Sequence, residues 1–310
     1  MRVIILGATG FIGRTLSQSL VEEGYEVIAL TRSQNRGREI LGDQVKIVEW
    51  DGKSAEGWEK YVEGAYAIVN LIGENLASGR WTKERKKSIL ESRLKAGKAV
   101  SMAIQLAQSK PKVVIQASAI GYYGSRSDEI LDESSDPGEG FLSEVTVKWE
   151  DSTKEIEPQV RRVIIRTGPV LGCEGGILSR LIRPFRFFVG GPPGSGKQWF
   201  SWIHLDDEVG AIRFLMERED LQGVFNLTAP EQLMMKDFYH TLGKAMGRPS
   251  WLPVPGFVLR LLFGEMAQET ILSGQKVVPM RLMKAGYEFV YPKAEAALEE
   301  IFAREEENMS

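Results

Sequence analysis

The chain holds one cysteine, Cys173, and two histidines, His204 and His240. A single thiol excludes an internal disulfide framework and a cysteine-rich zinc site. Two histidines argue against a histidine-built metal site, so no metal is expected. Neither sign of charge prevails: 39 Lys and Arg stand against 42 Asp and Glu, a net −3 without the basic excess of a general nucleic-acid binder. No apolar run approaches the roughly 20 residues of a membrane span. Met1-Arg2-Val3 leads directly into an apolar strand, so no leader segment is expected. These absences point to a cytoplasmic or stromal enzyme of small molecules, monomer or homodimer, with neither a nucleic-acid nor a membrane partner.

Glycine, by contrast, is placed with purpose. The run Val3-Ile4-Ile5-Leu6 breaks at Gly7, and glycines recur at Gly10 and Gly13. Phe11, Ile12, Leu16 and Leu20 then follow with helical spacing. Strand, glycine turn and helix start form the local structure that a pyrophosphate needs. The backbone can approach closely, and free N–H groups at a helix N-terminus face the anion.

Apolar strands alternate with helical stretches over the first half: Tyr25 to Leu30, Val45 to Glu49, Ala65 to Ile72, Val113 to Ala117 and Val160 to Arg166. Helices are expected from about Thr82 to Ser109 and Phe141 to Glu157. This rhythm predicts an α/β fold, a Rossmann-type doubly wound parallel sheet whose ligands bind at the strand C-terminal edge. A helix is expected from His204 to Glu217, a late strand from Val224 to Leu227, and helix again from Met235 to Met246. The expected division is a dinucleotide core of 1–171 plus 204–227, a smaller substrate lobe of 172–203 plus 228–300, and a frayed, solvated tail of 301–310.

The second strand ends in Thr31-Arg32-Ser33, not in an acid. Arg32 offers a fork of donors to a 2′-phosphate, which favours NADP(H) over NAD(H). Asp51 suits the adenine edge or caps its own turn. Gly191-Pro192-Pro193-Gly194-Ser195-Gly196-Lys197 fills seven positions of a P-loop, but Gln198 stands where a magnesium-binding Ser or Thr is required, and Trp199 to Ile203 reads as strand. A glycine-rich loop presenting Lys197, Gln198 and Trp202 to the substrate crevice is expected instead. His204 is expected to cap and pack a helix start. Arg180, Arg183 and Arg186 either gather an anionic substrate or form a solvated basic face.

Val69-Asn70-Leu71-Ile72-Gly73-Glu74-Asn75, Arg80-Trp81, Ser92-Arg93, Ala117 to Gly124, Trp149-Glu150, Arg166 to Gly172 and Pro249 to Pro255 together carry a resemblance that spans nearly the whole chain. The sequence resembles the epimerase-family branch of the extended short-chain dehydrogenases/reductases, with its C-terminal domain of unknown function. The resemblance implies NADP(H), with contacts from Gly7, Thr9, Gly10, Phe11, Ile12, Gly13, Thr31, Arg32, Asp51, Leu71, Ile72, Gly73, Arg93, Gly168 and Val170. It also implies Ser–Tyr–Lys chemistry, in which a tyrosine passes a proton to the substrate oxygen, a lysine assists it and a serine orients the oxygen. Ser118, or Ala119 in another register, falls at the serine and Lys148 at the lysine. Four residues before Lys148 stands Glu144, not tyrosine. A buried Glu144 could act as base, but beside an ammonium it more easily forms a plain ion pair. Tyr122 or Tyr123 could supply the hydroxyl from the other side of the cleft, or pack in the core, which is the favoured reading of Tyr123. Two functions follow: an NADP(H)-dependent oxidoreductase or epimerase-like enzyme of a small polar substrate, or a catalytically weak NADP(H)-binding sensor or regulator, with a tie to cell or plastid division.

Overall fold

The computed structural model describes residues 1–173 and 175–307. Seven parallel strands form the central sheet: β1 (Arg2–Leu6), β2 (Glu26–Thr31), β3 (Lys46–Glu49), β4 (Ala67–Asn70), β5 (Val113–Ala119), β7 (Arg161–Thr167) and β10 (Gly223–Leu227). Their spatial order is β3-β2-β1-β4-β5-β7-β10. The order reverses between β1 and β4, and the crevice above that pair is where ligands bind in such sheets. Four two-residue strands lie outside the sheet: β6 (Ile130–Leu131) pairs with β11 (Lys276–Val277), and β8 (Val170–Leu171) with β9 (Ile203–His204).

Alternation along each strand divides the core. Val3, Ile5, Val27, Ala29 and Val69 pack with Leu16 and Leu20 of α1 (Phe11–Glu22) and with Ile212 and Leu215 of α6 (Leu205–Glu217). Ile4, Leu6, Ile28 and Ile68 face α3 (Lys83–Leu106) through Val100 and Ile104. Both faces are covered, which is why the strands read as continuous apolar runs. α2 (Gln34–Leu41) is an addition to the expected elements, started by Ser33, whose hydroxyl accepts from Arg36 N. α4 (Phe141–Asp151) ends before the expected Glu157, and a short 3-10 turn, Lys154–Ile156, finishes the segment.

A third cluster sits in the C-terminal lobe. α5 (Leu178–Arg186), α7 (Met235–Ala245) and α10 (Ala294–Glu307) pack Phe185, Phe238, Leu242, Leu298 and Ile301 around Trp202. The expected frayed tail of 301–310 is corrected as far as Glu307, and 308–310 lie outside the described residues. α10 runs to Glu307, Ile301 is buried, Arg304 pairs with Asp206 and Glu300, and Glu305 pairs with Arg186. The lobe continues through α8 (Gly256–Phe263), a π-helical turn at Ala267–Ile271 and α9 (Met280–Lys284). Among the described residues, no helix is long and apolar enough to cross a membrane.

Candidate functional site

The turn after β1 is built by backbone. Gly7 has φ +88°, and a Cβ there would lie 3.2 Å from the Leu71 carbonyl carbon and oxygen. Gly13 is more constrained still: its Cβ would sit 2.2 Å from the Gly7 carbonyl oxygen, which already accepts from Gly10 N at 2.9 Å. β1 and β4 thereby touch through main chain at the reversal point. Gly10 stands at the start of α1 and offers no side-chain cap. The first-turn N–H groups are left without a side-chain partner, with the positive end of the helix dipole behind them. Phe11 packs under the later loop, where Cβ atoms on Gly172, Gly175 and Gly176 would each come within 2.8 Å of its ring.

At the end of β2 Thr31 is buried and accepts from Ser33 N, while Arg32 is exposed and makes no ion pair among the described residues. Its side chain runs past Gly52. Asp51 accepts from Lys53 N and Ser54 N, both at 2.9 Å, and these bonds hold its carboxyl below the ordinary value. Of its two expected roles, the structure displays the turn cap.

At the end of β4 Asn70 donates to Gln116 and accepts from Ile72 N. Gly73 follows because the Arg93 guanidinium lies where a side chain would go, 2.9 Å from a built Cβ. Arg93 is 7% exposed and donates to the carbonyls of Ile89 and Glu74. It stacks on the Trp149 ring at 4.7 Å. Burial brings its pKa down to about 10. The Glu74 carboxylate is spent on Arg85 and Ser88, so Arg93 is a buried cation bonded only to carbonyls.

The β5–β7 edge is built by side chains. Ser118 is buried and donates to Glu150 Oε1 at 2.6 Å. Arg166 donates to both Glu150 oxygens at 2.9 and 3.0 Å, and to the Tyr123 hydroxyl at 3.1 Å. Tyr123 in turn donates to Asn226 Oδ1 at 2.6 Å. Hydrogen bonding to Glu150 drives the Arg166 pKa further up, against the effect of burial. Tyr123 is thus a core group with its hydroxyl consumed, and the Ser118 hydroxyl hydrogen points inward. Tyr122 differs: it is half-buried, its ring lies 3.3 Å under the Arg166 guanidinium, and its hydroxyl has no hydrogen-bond partner among the described residues.

Lys148 and Glu144 do not meet this network. They form an i,i+4 pair at 4.0 Å on the outer face of α4, with side chains 54% and 70% exposed. The sheet-facing turn of α4 carries Val145 and Trp149 instead. Of the two roles expected of Glu144, a buried base and an ion pair with Lys148, the structure displays the ion pair, with both side chains open to solvent.

The segment after β7 closes the crevice. Gly168 allows the Ser201 carbonyl oxygen to pass 2.2 Å from where a Cβ would stand, and Val170 is held in β8. Beneath it Thr167 donates to Glu208 at 2.8 Å. Glu208 is fully buried, its other oxygen has no hydrogen-bond partner among the described residues, and burial pushes its pKa up to about 8. His204 caps α6, with Nδ1 accepting from Asp206 N and Nε2 facing Glu300. Burial pushes its pKa down to about 4, so it is neutral. His204, Asp206 and Glu300 converge closely enough for a metal, but the Arg304 guanidinium bridges the two carboxylates there.

The Gly191–Lys197 loop leads into no helix. Gly194 N donates to Val254 O and Gly196 O accepts from Lys236 N, which pins the loop within the lobe. Of the expected Trp199–Ile203 strand only Ile203 lies in a strand, β9, while Trp199 forms an isolated bridge to Met234. Trp202 is fully buried, and the Gln198 amide donates to Pro193 O and Ile271 O, so neither faces the crevice. Arg180 binds the Ala77 carbonyl and Arg186 binds Glu305, which disperses the basic cluster. Sequence reading missed Glu150 as the partner of Arg166, and Glu208. The apolar Trp149 beside Glu150 was the signal that this turn of α4 faces inward.

Residues 3–228 match the NAD dependent epimerase/dehydratase family, and residues 254–301 match a domain of unknown function, DUF1731. The chain is 40% identical over 307 residues to the chloroplastic epimerase family protein SDR39U1 homolog of Arabidopsis thaliana, covering 97% of this chain and 86% of that one. It is 37% identical to epimerase family protein YfhF of Bacillus subtilis, over 98% of both chains. The crystal structure of the human epimerase family protein SDR39U1 with NADPH superposes with a TM-score of 0.88 at 36% identity, covering 97% of this chain and 99% of that one.

Proposed function

Because the chain belongs to the NAD dependent epimerase/dehydratase family, we propose that it is an NADP(H)-dependent oxidoreductase or epimerase-like enzyme acting on a small polar molecule. One observation carries the reading: the N-terminus of α1 is uncapped behind a turn whose glycines admit no side chain, and an unpaired Arg32 stands at the end of β2. These residues fit NADP(H). Backbone of Gly7, Thr9, Gly10, Phe11, Ile12 and Gly13 would hold the pyrophosphate, and Arg32 with Thr31 the 2′-phosphate. Leu71, Ile72 and Gly73, with Arg93 behind them, would line the middle of the site. Gly168 and Val170 would present backbone to the carboxamide. The human relative solved with NADPH supports the choice of phosphate form.

When bound, the nicotinamide supplies or accepts a hydride. In reduction the chain must then give the substrate oxygen a proton, and in oxidation it must take one away. Tyr122 suits that role, since its hydroxyl has no hydrogen-bond partner among the described residues and its ring is held under the Arg166 guanidinium. Ser118 and Glu150 hold Arg166 in place. The division into a core of 1–171 plus 204–227 and a lobe of 172–203 plus 228–300 belongs to the same proposal, with the lobe closing over the substrate.

The second reading is a binding or regulatory protein. The absence of a tyrosine four residues before Lys148 favours it, since Glu144 stands there and pairs with the lysine in solvent. Fluorescence titration with NADPH and NADH, followed by turnover against a carbonyl library, separates the two. Arg32→Ala should weaken NADPH by about 30-fold, a loss of about 2 kcal/mol for a charge-assisted contact, and leave NADH unchanged. Equal weakening of both cofactors would remove Arg32 from the phosphate site. Tight NADPH binding with no turnover selects the second reading.

A further inference from the structure

Beyond Tyr122 a cavity of about 120 Å³ opens between the Gly121–Ser125 turn, the start of α4 and the C-terminal lobe. Its polar lining comes from Ser125, Glu139, Gln268, Glu269, Ser273 and Gln275. No lining residue is basic. The cations nearby in the chain are committed elsewhere. Arg126 binds Glu129 and the carbonyls of Asp136 and Pro137, Lys276 lies over the Trp199 ring, and Lys86 pairs with Glu265.

The N-terminus of α4 could receive an anion on its first N–H groups, and the protein has filled it itself. Glu269 accepts from Phe141 N at 3.3 Å and from Leu142 N at 3.2 Å. Gly140, with φ +102°, makes room, since a Cβ would lie 2.6 Å from the Glu269 carboxylate. The π-helical turn at Ala267–Ile271 delivers both Gln268 and Glu269 to the cavity. Such turns are inserted irregularities that recur at functional sites.

We infer that this cavity is the substrate subsite and takes a phosphate-free small molecule that presents hydroxyl or ammonium donors. The lining is rich in acceptors, carries two carboxylates and holds no cation, so a phosphorylated ligand would meet like charge on entering. The inference rests on the adjacent crevice being the nicotinamide site.

The test uses the full chain saturated with NADPH and three probes built on one hexose ring: D-glucosamine, D-glucose and D-glucose 6-phosphate, with binding followed by ligand-observed NMR. The amine and the neutral sugar are expected to bind at least about tenfold more tightly than the phosphate, the discrimination that like-charge contact imposes. Gln275→Lys, a change at the cavity wall outside the cofactor contacts, should narrow or reverse that order. Glu139→Gln should remove the preference for the amine over the neutral sugar. Equal or tighter binding of the phosphate by the unmodified chain would overturn the inference, as would failure of all three probes or an order unmoved by Gln275→Lys. NADPH binding is read separately by its fluorescence. If it fails, the cofactor reading falls, and the probe order measured without NADPH still decides the chemistry of the cavity.

Discussion

The two ends of the crevice are made of different material. At the β1–α1 turn the contacts are backbone on backbone, and the helix N-terminus is left unpaired. At the β5–β7 edge Ser118, Glu150, Arg166, Tyr123 and Asn226 bond mainly to one another inside the protein. A site built from main chain has donors to offer because no side chain consumes them. A site built from buried charges must satisfy those charges first, and little is left facing out. The first end is thus ready for an anionic cofactor, and the second exposes only the Tyr122 hydroxyl.

Variants on the second end sharpen that contrast. The largest effect is expected for Arg166→Met, which strands the Glu150 carboxylate in the core with only Ser118 as donor. A loss of about 3–5 kcal/mol in denaturant unfolding should follow, and Glu150→Leu added to it should restore most of that. An Arg166→Met chain as stable as the original would mean that the buried pair holds nothing together.

The next effect is one of pH. The Glu208 pKa lies at about 8 in the folded chain, above its ordinary 4.5, so the folded state holds this proton more tightly than the unfolded state does. Its contribution is fully present below about 4.5 and is lost as pH rises toward about 8, at about 1.4 kcal/mol per pH unit. Unfolding measured across that window should flatten by this slope in Glu208→Gln, and an unchanged slope would assign the proton elsewhere. The smallest effect is expected for Lys148→Ala. A solvated i,i+4 pair contributes about 0.3–0.5 kcal/mol, so stability and turnover should both stay close to the original. A large fall in turnover with unchanged stability would return Lys148 to the reaction.

Much of the sheet was legible because a strand buried on both faces reads as an unbroken apolar run, and the Gly7–Gly13 spacing could be read because its constraint is local. The first helical turn after Ser33 was equally local, a serine cap ahead of Arg36, but no apolar stripe announced it. The C-terminal helix was masked by its own acids. Glu305 and Glu306 suggested a solvated tail, while Ala297, Leu298 and Ile301 carried the buried face. Glu144 and Lys148 had the spacing of a catalytic pair, and only the phase of α4 against the sheet shows that Val145 and Trp149 take the inward places.

Sequence alone determined that a dinucleotide turn opens this chain, because steric limits on Gly7 and Gly13 act within a few residues of backbone. Arg32 was placed by the same strand end. Tertiary structure decided the rest of the site. Glu150 meets Arg166 across two elements, and Glu269 closes the α4 N-terminus from 128 residues away. Which charges pair, and so which remain free for a ligand, depends on segments that no local pattern relates.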